Sequence, residues 1–348
     1  MARRKPLPGK GKYFAALCKQ AGNMGKEELA LLVRQKYHIA GRHSAAKICH
    51  WAKASLEGKG ECYKSRFYGI SSHSCLQCTP CLQFCNHDCV FCWRALPWKG
   101  LGRMSRKGER FRWDMPKEIA GALLEEQGRI MSGFGGNKKA SRKKFEEAQK
   151  PMHAAVSLSG EPCMYPHIGK LLSEFHSRGM TTFLVTNGTF PERLSRLEEL
   201  PTQLYVSMVA PNEEVYREAI RPSSPLLWEK YWETLELLPK LGKRARTVLR
   251  MTLARGINDS DLEGYAKQIK AAQPHYVEVK SMVFVGGARD PKRGLSLGSM
   301  LSMDEIWEVA KRLAKLSGYV VADSHSPSRV VLLCRDKKVC DERKLRVP

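Results

Sequence analysis

Three cysteines fall within eight residues of the chain, in the run Cys85-Asn86-His87-Asp88-Cys89-Val90-Phe91-Cys92. Thiolates are soft ligands that select iron–sulfur clusters or zinc. The C-x3-C-x2-C spacing puts three of them on one short loop, enough for three irons of a four-iron cubane. The fourth iron then has no protein thiolate. A cluster closed by four cysteines carries electrons, whereas an open iron can bind a substrate or cofactor. The spacing therefore points to chemistry at a cluster. Zinc, a disulfide and a closed ferredoxin cluster are the plainer readings of the same residues.

Upstream, Cys49, Cys62 and Cys75 follow one another at intervals of 13, and Cys75 stands 10 before Cys85. Three widely spaced thiolates could hold a second cluster, again with one open iron. Cys78 and Cys81 complete Cys75-x2-Cys78-x2-Cys81-x3-Cys85, the run of a bacterial ferredoxin, although Asn86 stands where that run has proline. An electron-transfer protein is therefore one alternative, and a non-catalytic zinc protein that binds RNA is another. Cys18, Cys163, Cys334 and Cys340 match no pattern and read as free thiols.

These residues need elements to position them. Residues 40–96 hold eight of the twelve cysteines and show little periodicity, as expected of a stretch organised by metal. An amphipathic helix is expected at 26–38 and another from Pro116 to Met131, behind Asp114. From 153 onward, strands alternate with helices. The strands are expected at 154–158, 181–186, 203–208, 247–253, 276–282, 319–322 and 330–333. The helices are expected near 166–178, 191–198, 226–239, 260–272 and 303–316. Strand–helix alternation implies a parallel sheet with right-handed crossovers. With a first strand ahead of the cysteine loop, the fold class is α/β: an incomplete (β/α)6 barrel behind a basic, helical, cysteine-rich N-terminal extension. The expected units are 1–45 (extension), 46–80 (upstream cysteines), 81–335 (partial barrel) and 336–348 (tail).

In β/α barrels the chemistry sits where the strands end. Ser159-Gly160-Glu161-Pro162 closes one expected strand and Asn187-Gly188-Thr189 the next, while Ser207 and Lys280-Ser281 end two more. A Gly-Glu pair there lets backbone approach a zwitterionic ligand and offers a carboxylate to its ammonium. Asn187 and Ser207 suit the hydroxyls of a ribose. Singly, each motif is first a turn or a strand-to-helix link. Their common placement after a cysteine loop is what marks them.

The net charge is +24, and it is uneven. Residues 1–67 carry 15 Lys and Arg against 4 Asp and Glu; residues 97–150 carry 14 against 7. A localised basic field is the footprint of a polyanion, here a nucleic acid. A solvated, solubilising surface is the plainer reading. Trp93, Trp98 and Trp113 could stack on bases or simply pack in the core. No run of eighteen apolar residues predicts a membrane span. The basic N-terminus lacks the apolar segment of a signal peptide. Twelve cysteines without an export signal predict a reducing, cytoplasmic compartment.

The triad Cys85, Cys89 and Cys92 matches the radical S-adenosylmethionine enzymes. Within them, both cysteine sets together resemble the 4-demethylwyosine synthases, which modify tRNA. Further likenesses are Cys62-Tyr63-Lys64, Cys75-Leu76-Gln77, Cys92-Trp93-Arg94, Ser157-Leu158-Ser159-Gly160-Glu161-Pro162, Thr186-Asn187-Gly188-Thr189 and Ser328-Arg329-Val330-Val331, in order from about residue 45 to 335. The resemblance implies two 4Fe-4S clusters, one on Cys85, Cys89 and Cys92 and one on Cys49, Cys62 and Cys75. It implies that S-adenosylmethionine binds against Phe91, Ser159, Gly160, Glu161, Asn187 and Ser207. It also implies a reaction: N1-methylguanosine beside the anticodon of tRNA-Phe condenses with pyruvate, Lys64 acting on the pyruvate. The second open iron would then act as a Lewis acid. Cys78 and Cys81 are foreign to the pattern. Residues 1–45 are too short for the flavodoxin-like domain of some relatives, so an external flavodoxin or ferredoxin is expected as electron donor, with the enzyme a monomer.

Overall fold

The structure is a computed structural model that describes residues 12–21, 24–94 and 111–345. Ten strands form one sheet: β1 (His38–Ala40), β2 (Ser44–Ala46), β3 (Cys75–Thr79), β4 (His153–Val156), β5 (Thr181–Thr186), β6 (Gln203–Met208), β7 (Arg246–Met251), β8 (Tyr276–Lys280), β9 (Val320–His325) and β10 (Val330–Cys334). Their order is β1-β2-β3-β4-β5-β6-β7-β8-β10-β9. From β3 to β8 each strand pairs in parallel with the next in sequence. Six parallel neighbours with helical crossovers make the expected incomplete (β/α)6 barrel.

Both flanks depart from that parallel core. On one side β1, β2 and β3 pair antiparallel, so the sheet runs without a break across residue 81. On the other side β10 inserts antiparallel between β8 and β9. The turn from β9 to β10 is too short for a crossover, and only antiparallel partners can be joined so tightly.

Alternation along the strands splits the core in two. Leu184, Leu204, Val206, Leu249, Val277 and Val279 face the outer helices. Phe183, Tyr205, Val248 and Tyr276 face inward, against Tyr63, Phe67 and Tyr68 of the helix Tyr63–Tyr68. That helix packs against the inside of the barrel, and it brings Cys62, its N-terminal neighbour, with it.

The helices expected after residue 153 are present, and two other features differ from expectation. The helix expected over 26–38 spans Lys26–Arg34, because Lys36 turns left-handed (φ 65°) and β1 follows. The stretch 133–150, rich in Gly, Lys and Arg and expected as exposed loops or frayed helices, contains a helix, Arg142–Ala148, whose first turn is capped by Ser141. A helix at Glu213–Ile220, capped by Asn212, had no expectation. Helix Arg142–Ala148 docks where β3 and β4 begin: Ser141 N donates to Leu56 O at 2.9 Å and His73 pairs with Glu147 at 2.6 Å. The basic stretch 133–150 therefore lies at the opposite end of the strands from the cysteine loop. Trp98 and most of the basic stretch 97–113 lie outside the described residues, as do residues 1–11 of the extension. Trp113 packs edge-on against His43, Phe84 and Phe111, with ring centres 4.6–5.3 Å apart. Among the described residues no helix is long and apolar enough to cross a membrane.

Candidate active site: two cysteine-lined cavities

The loop Cys85–Cys92 follows β3 and is clamped by backbone from three sides. Gly160 and Glu161, at the end of β4, lie beneath it. Glu161 N donates to Phe84 O at 2.7 Å. Gly160 has φ +68°, and a Cβ there would stand 1.7 Å from Cys81 O. Only glycine permits both that backbone conformation and that approach. The helix Glu213–Ile220 supplies the second side: Asp88 N donates to Ile220 O at 3.0 Å and Val90 N to Ala219 O at 2.8 Å. The third side is the long segment after β8. Gly287 N donates to Trp93 O at 2.7 Å, and Arg293 bonds both Cys89 O and Asp88. Arg94 adds a tie by donating to Ser157 O and Leu158 O.

A cavity of about 220 Å³ opens beside this loop, at the ends of β4 to β7. Its walls include Cys85, Cys89, Cys92 and Phe91 on one side and Gly160, Glu161, Asn187, Ser207 and Arg250 on the other. Ser159 stands behind this wall, buried, its hydroxyl 3.3 Å from Leu82 O. Glu161 is also buried, and both its oxygens are engaged. Oε1 accepts from Cys163 N (2.9 Å) and Thr186 Oγ1 (2.6 Å), and Oε2 from Asn187 N (2.7 Å). Burial raises its pKa. Glu161 thus sets the backbone of the Asn187 turn from within the protein. The Asn187 amide in turn donates to Asn86 Oδ1 at 2.7 Å. Ser207 presents a hydroxyl with no partner among the described residues.

A second cavity of about 150 Å³ adjoins the first and reaches down the inside of β3 and β4. Cys49, Cys62, Cys75, Lys64, Trp51 and Arg250 contribute to its walls. Cys49 and Cys62 each sit where extended chain turns into a helix. Cys75 opens β3, and Cys75 and Gln77 share its inward face. Lys64 is buried, with Nζ 4.8 Å from the centre of the Phe183 ring and 4.5 Å from that of Tyr205. Burial, and then the nearby Arg250 charge, lower its pKa.

The two thiol sets fit the groups expected of them. All twelve cysteines are free. Burial first, with a smaller contribution from the neighbouring thiols of the same set, pushes Cys62, Cys75 and Cys85 up to about 12. Such close sets of soft donors, each around its own cavity, suit a cluster whose ligands bind separate irons. No group of three or more His, Cys, Asp and Glu among the described residues is arranged to hold a metal ion. The ferredoxin-type run is not assembled. Strand alternation turns Cys78 away from Cys75 into the outer core, where Cys81 is also fully buried, and neither lines a cavity.

Sequence reasoning missed the residue common to both cavities. Arg250 stands on the inner face of β7, donating from Nε to Glu278 Oε2 at 2.9 Å and from Nη2 to the Tyr63 hydroxyl at 2.7 Å. Glu278, fully buried on β8, also accepts from the hydroxyls of Tyr63 (3.0 Å) and Tyr68 (2.9 Å). Burial works against the Arg250 charge, but Tyr63 and Glu278 more than offset it and raise its pKa. The one sequence signal was a charge inside each of two apolar strands, Val248-Leu249-Arg250-Met251 and Val277-Glu278-Val279.

The chain is similar to known proteins over most of its length. Residues 79–269 match the radical SAM superfamily, and residues 271–335 match the family of wyosine base formation. The S-adenosyl-L-methionine-dependent tRNA 4-demethylwyosine synthase of Pyrococcus horikoshii is 48% identical over 318 residues, 90% of each chain. That of Methanocaldococcus jannaschii is 37% identical over 90% of this chain and 97% of its own. Among solved structures, TYW1 with a lysine-pyruvate adduct bound superposes with a TM-score of 0.79 at 36% identity, covering 93% of this chain and 98% of that one. Archaeal TYW1 superposes with a TM-score of 0.72 at 33% identity, covering 92% and 100%.

Proposed function

The chain belongs to the S-adenosyl-L-methionine-dependent tRNA 4-demethylwyosine synthases of the radical SAM superfamily, and on that premise we propose how its two cavities divide the reaction. The substrate is tRNA-Phe carrying N1-methylguanosine 3′ of the anticodon, and the carbon donor is pyruvate. The product is 4-demethylwyosine. The observation that carries this reading is the adjacency of two separate thiol triads, with Lys64 in the wall of the second.

When bound, a 4Fe-4S cluster on Cys85, Cys89 and Cys92 with S-adenosylmethionine supplies a 5′-deoxyadenosyl radical, and a second on Cys49, Cys62 and Cys75 supplies a Lewis acid. The residues around them bind and orient. Phe91 offers an apolar face to the adenine. Gly160 lets backbone close on the ligand, Glu161 and Ser159 hold that backbone in place, and Asn187 and Ser207 face the ribose. In the second cavity the Lys64 amine adds to the keto carbon of pyruvate, and the carbonyl oxygen leaves as water. The lysine-pyruvate adduct of a relative supports this role.

The basic charge of the chain suits the tRNA, whose target base must be splayed from its loop to reach the site. An external flavodoxin or ferredoxin supplies the electron to a cytoplasmic monomer. The test is direct: reconstituted protein is given methylated tRNA, pyruvate, S-adenosylmethionine and a strong reductant. The tricyclic nucleoside is expected by mass. Cleavage of S-adenosylmethionine that leaves the tRNA unchanged under these conditions would sink the reading.

A further inference from the structure

Arg250 is held along its Nε/Nη2 edge and open at Nη1. Nε and Nη2 bond Glu278 and Tyr63, and the guanidinium lies 4.5 Å from the centre of the Tyr205 ring. Nη1 has no partner among the described residues. Glu278 has its own further donors in Tyr63 and Tyr68, so it fixes the guanidinium without covering its outer edge. Lys64 Nζ lies over the same Tyr205 ring, also at 4.5 Å. An amine and a rigid guanidinium beside one ring match a small molecule with a carbonyl next to a carboxylate. Guanidinium is suited to the second group by its planar fork of donors.

We propose that Arg250 is the residue that selects a 2-oxo acid, binding its carboxylate through the Nη1 edge while Lys64 takes the adjacent keto carbon. Because Arg250 also walls the first cavity, the carboxylate is held at the boundary between the two, with the carbonyl turned toward Lys64. A carboxylate has lone pairs enough for a guanidinium and a metal together. The inference rests on the second cavity being the pyruvate site.

The test uses the reconstituted holoprotein with pyruvate or hydroxyacetone, a neutral ketone of the same carbon count. Borohydride then reduces the C=N bond to Lys64, and the labelled peptide is read by mass. Wild-type protein is expected to label at far lower pyruvate than hydroxyacetone. The double variant Arg250→Gln/Glu278→Gln leaves no buried carboxylate unpaired. Its half-labelling concentration for pyruvate should rise about 10–100-fold, as for loss of one charge-assisted pair. The ratio of the hydroxyacetone to the pyruvate half-labelling concentration should fall by a similar factor, because a neutral ketone has no carboxylate to lose a partner. Tyr63→Phe keeps both charges and removes the hydroxyl that links Arg250 Nη2 to Glu278, loosening the guanidinium. It should shift pyruvate labelling by roughly 3–10-fold in the same direction, and it decides the matter if the double variant does not fold. Unchanged pyruvate labelling in a folded variant overturns the role of Arg250, as does loss of S-adenosylmethionine binding with pyruvate labelling intact. Wild-type protein that neither ketone labels overturns instead the pyruvate-site reading, and this inference with it.

Discussion

The two cysteine-lined cavities are built in opposite ways. The first takes its three thiols from one loop of eight residues, and the rest of the protein clamps that loop from outside. The second takes one thiol from each of three places: the starts of two short helices and the start of β3. One site is local and supported by tertiary structure; the other exists only as tertiary structure. The difference teaches that ligand spacing and site stability are separate properties. The local site needs little ordering to gather its thiols. The dispersed one must close two loops of chain, with the entropy that costs.

Breaking each site in turn gives the largest expected effects. Cys89→Ala should abolish S-adenosylmethionine cleavage altogether. Cys62→Ala should leave uncoupled cleavage in place and lose the tricyclic product. Product from the Cys62 variant, seen by mass spectrometry, would refute the assignment of the second triad. Next is Gly160→Ala, which needs no change in any thiol. A left-handed conformation and a Cβ 1.7 Å from Cys81 O should cost roughly 2–5 kcal/mol. Denaturant unfolding measures this, and iron analysis should show the first cluster lost before the second.

A smaller effect separates the sites by their loops. Reconstitution with iron and sulfide should raise the melting temperature of wild-type protein more than that of Cys62→Ala, because the dispersed triad ties distant segments together. Equal increments in the two proteins would mean that the second triad does not staple the fold. The smallest effect is expected at Cys78. Cys78→Ala should cost about 1–2 kcal/mol through the cavity it leaves in the outer core, with the iron content unchanged. A fall of about four irons on that substitution would return Cys78 to the ligands.

Legibility in the sequence followed the same division. The triad Cys85, Cys89 and Cys92 could be singled out from spacing alone, because all three thiols lie on one short loop. The strands from β4 to β8 were legible as apolar runs, because parallel strands buried on both faces carry a continuous hydrophobic signal. Cys49, Cys62 and Cys75 could be read only as thiolates able to hold a second cluster until likeness to a family grouped them, since a spacing of thirteen says nothing about distance in space. The helix Glu213–Ile220 escaped notice although Asn212 caps it, and it turned out to hold the cysteine loop by two backbone bonds. Glu161 reads from the sequence as an acceptor for an ammonium; that it lines the first cavity and also accepts three bonds from the protein itself was not legible there.

The amino-acid sequence by itself determined the soft-ligand loop, the α/β alternation and the basic character of this protein, all properties of residue type and short-range period. Tertiary structure alone decided that β3 turns Cys75 inward and Cys78 outward, and that two cavities share Arg250. Arg250 and Glu278 lie 28 positions apart and meet only because β7 and β8 are neighbours in the sheet. No local pattern encodes such a pair. Its partners are chosen by strand order and by the burial that makes each charge depend on the other.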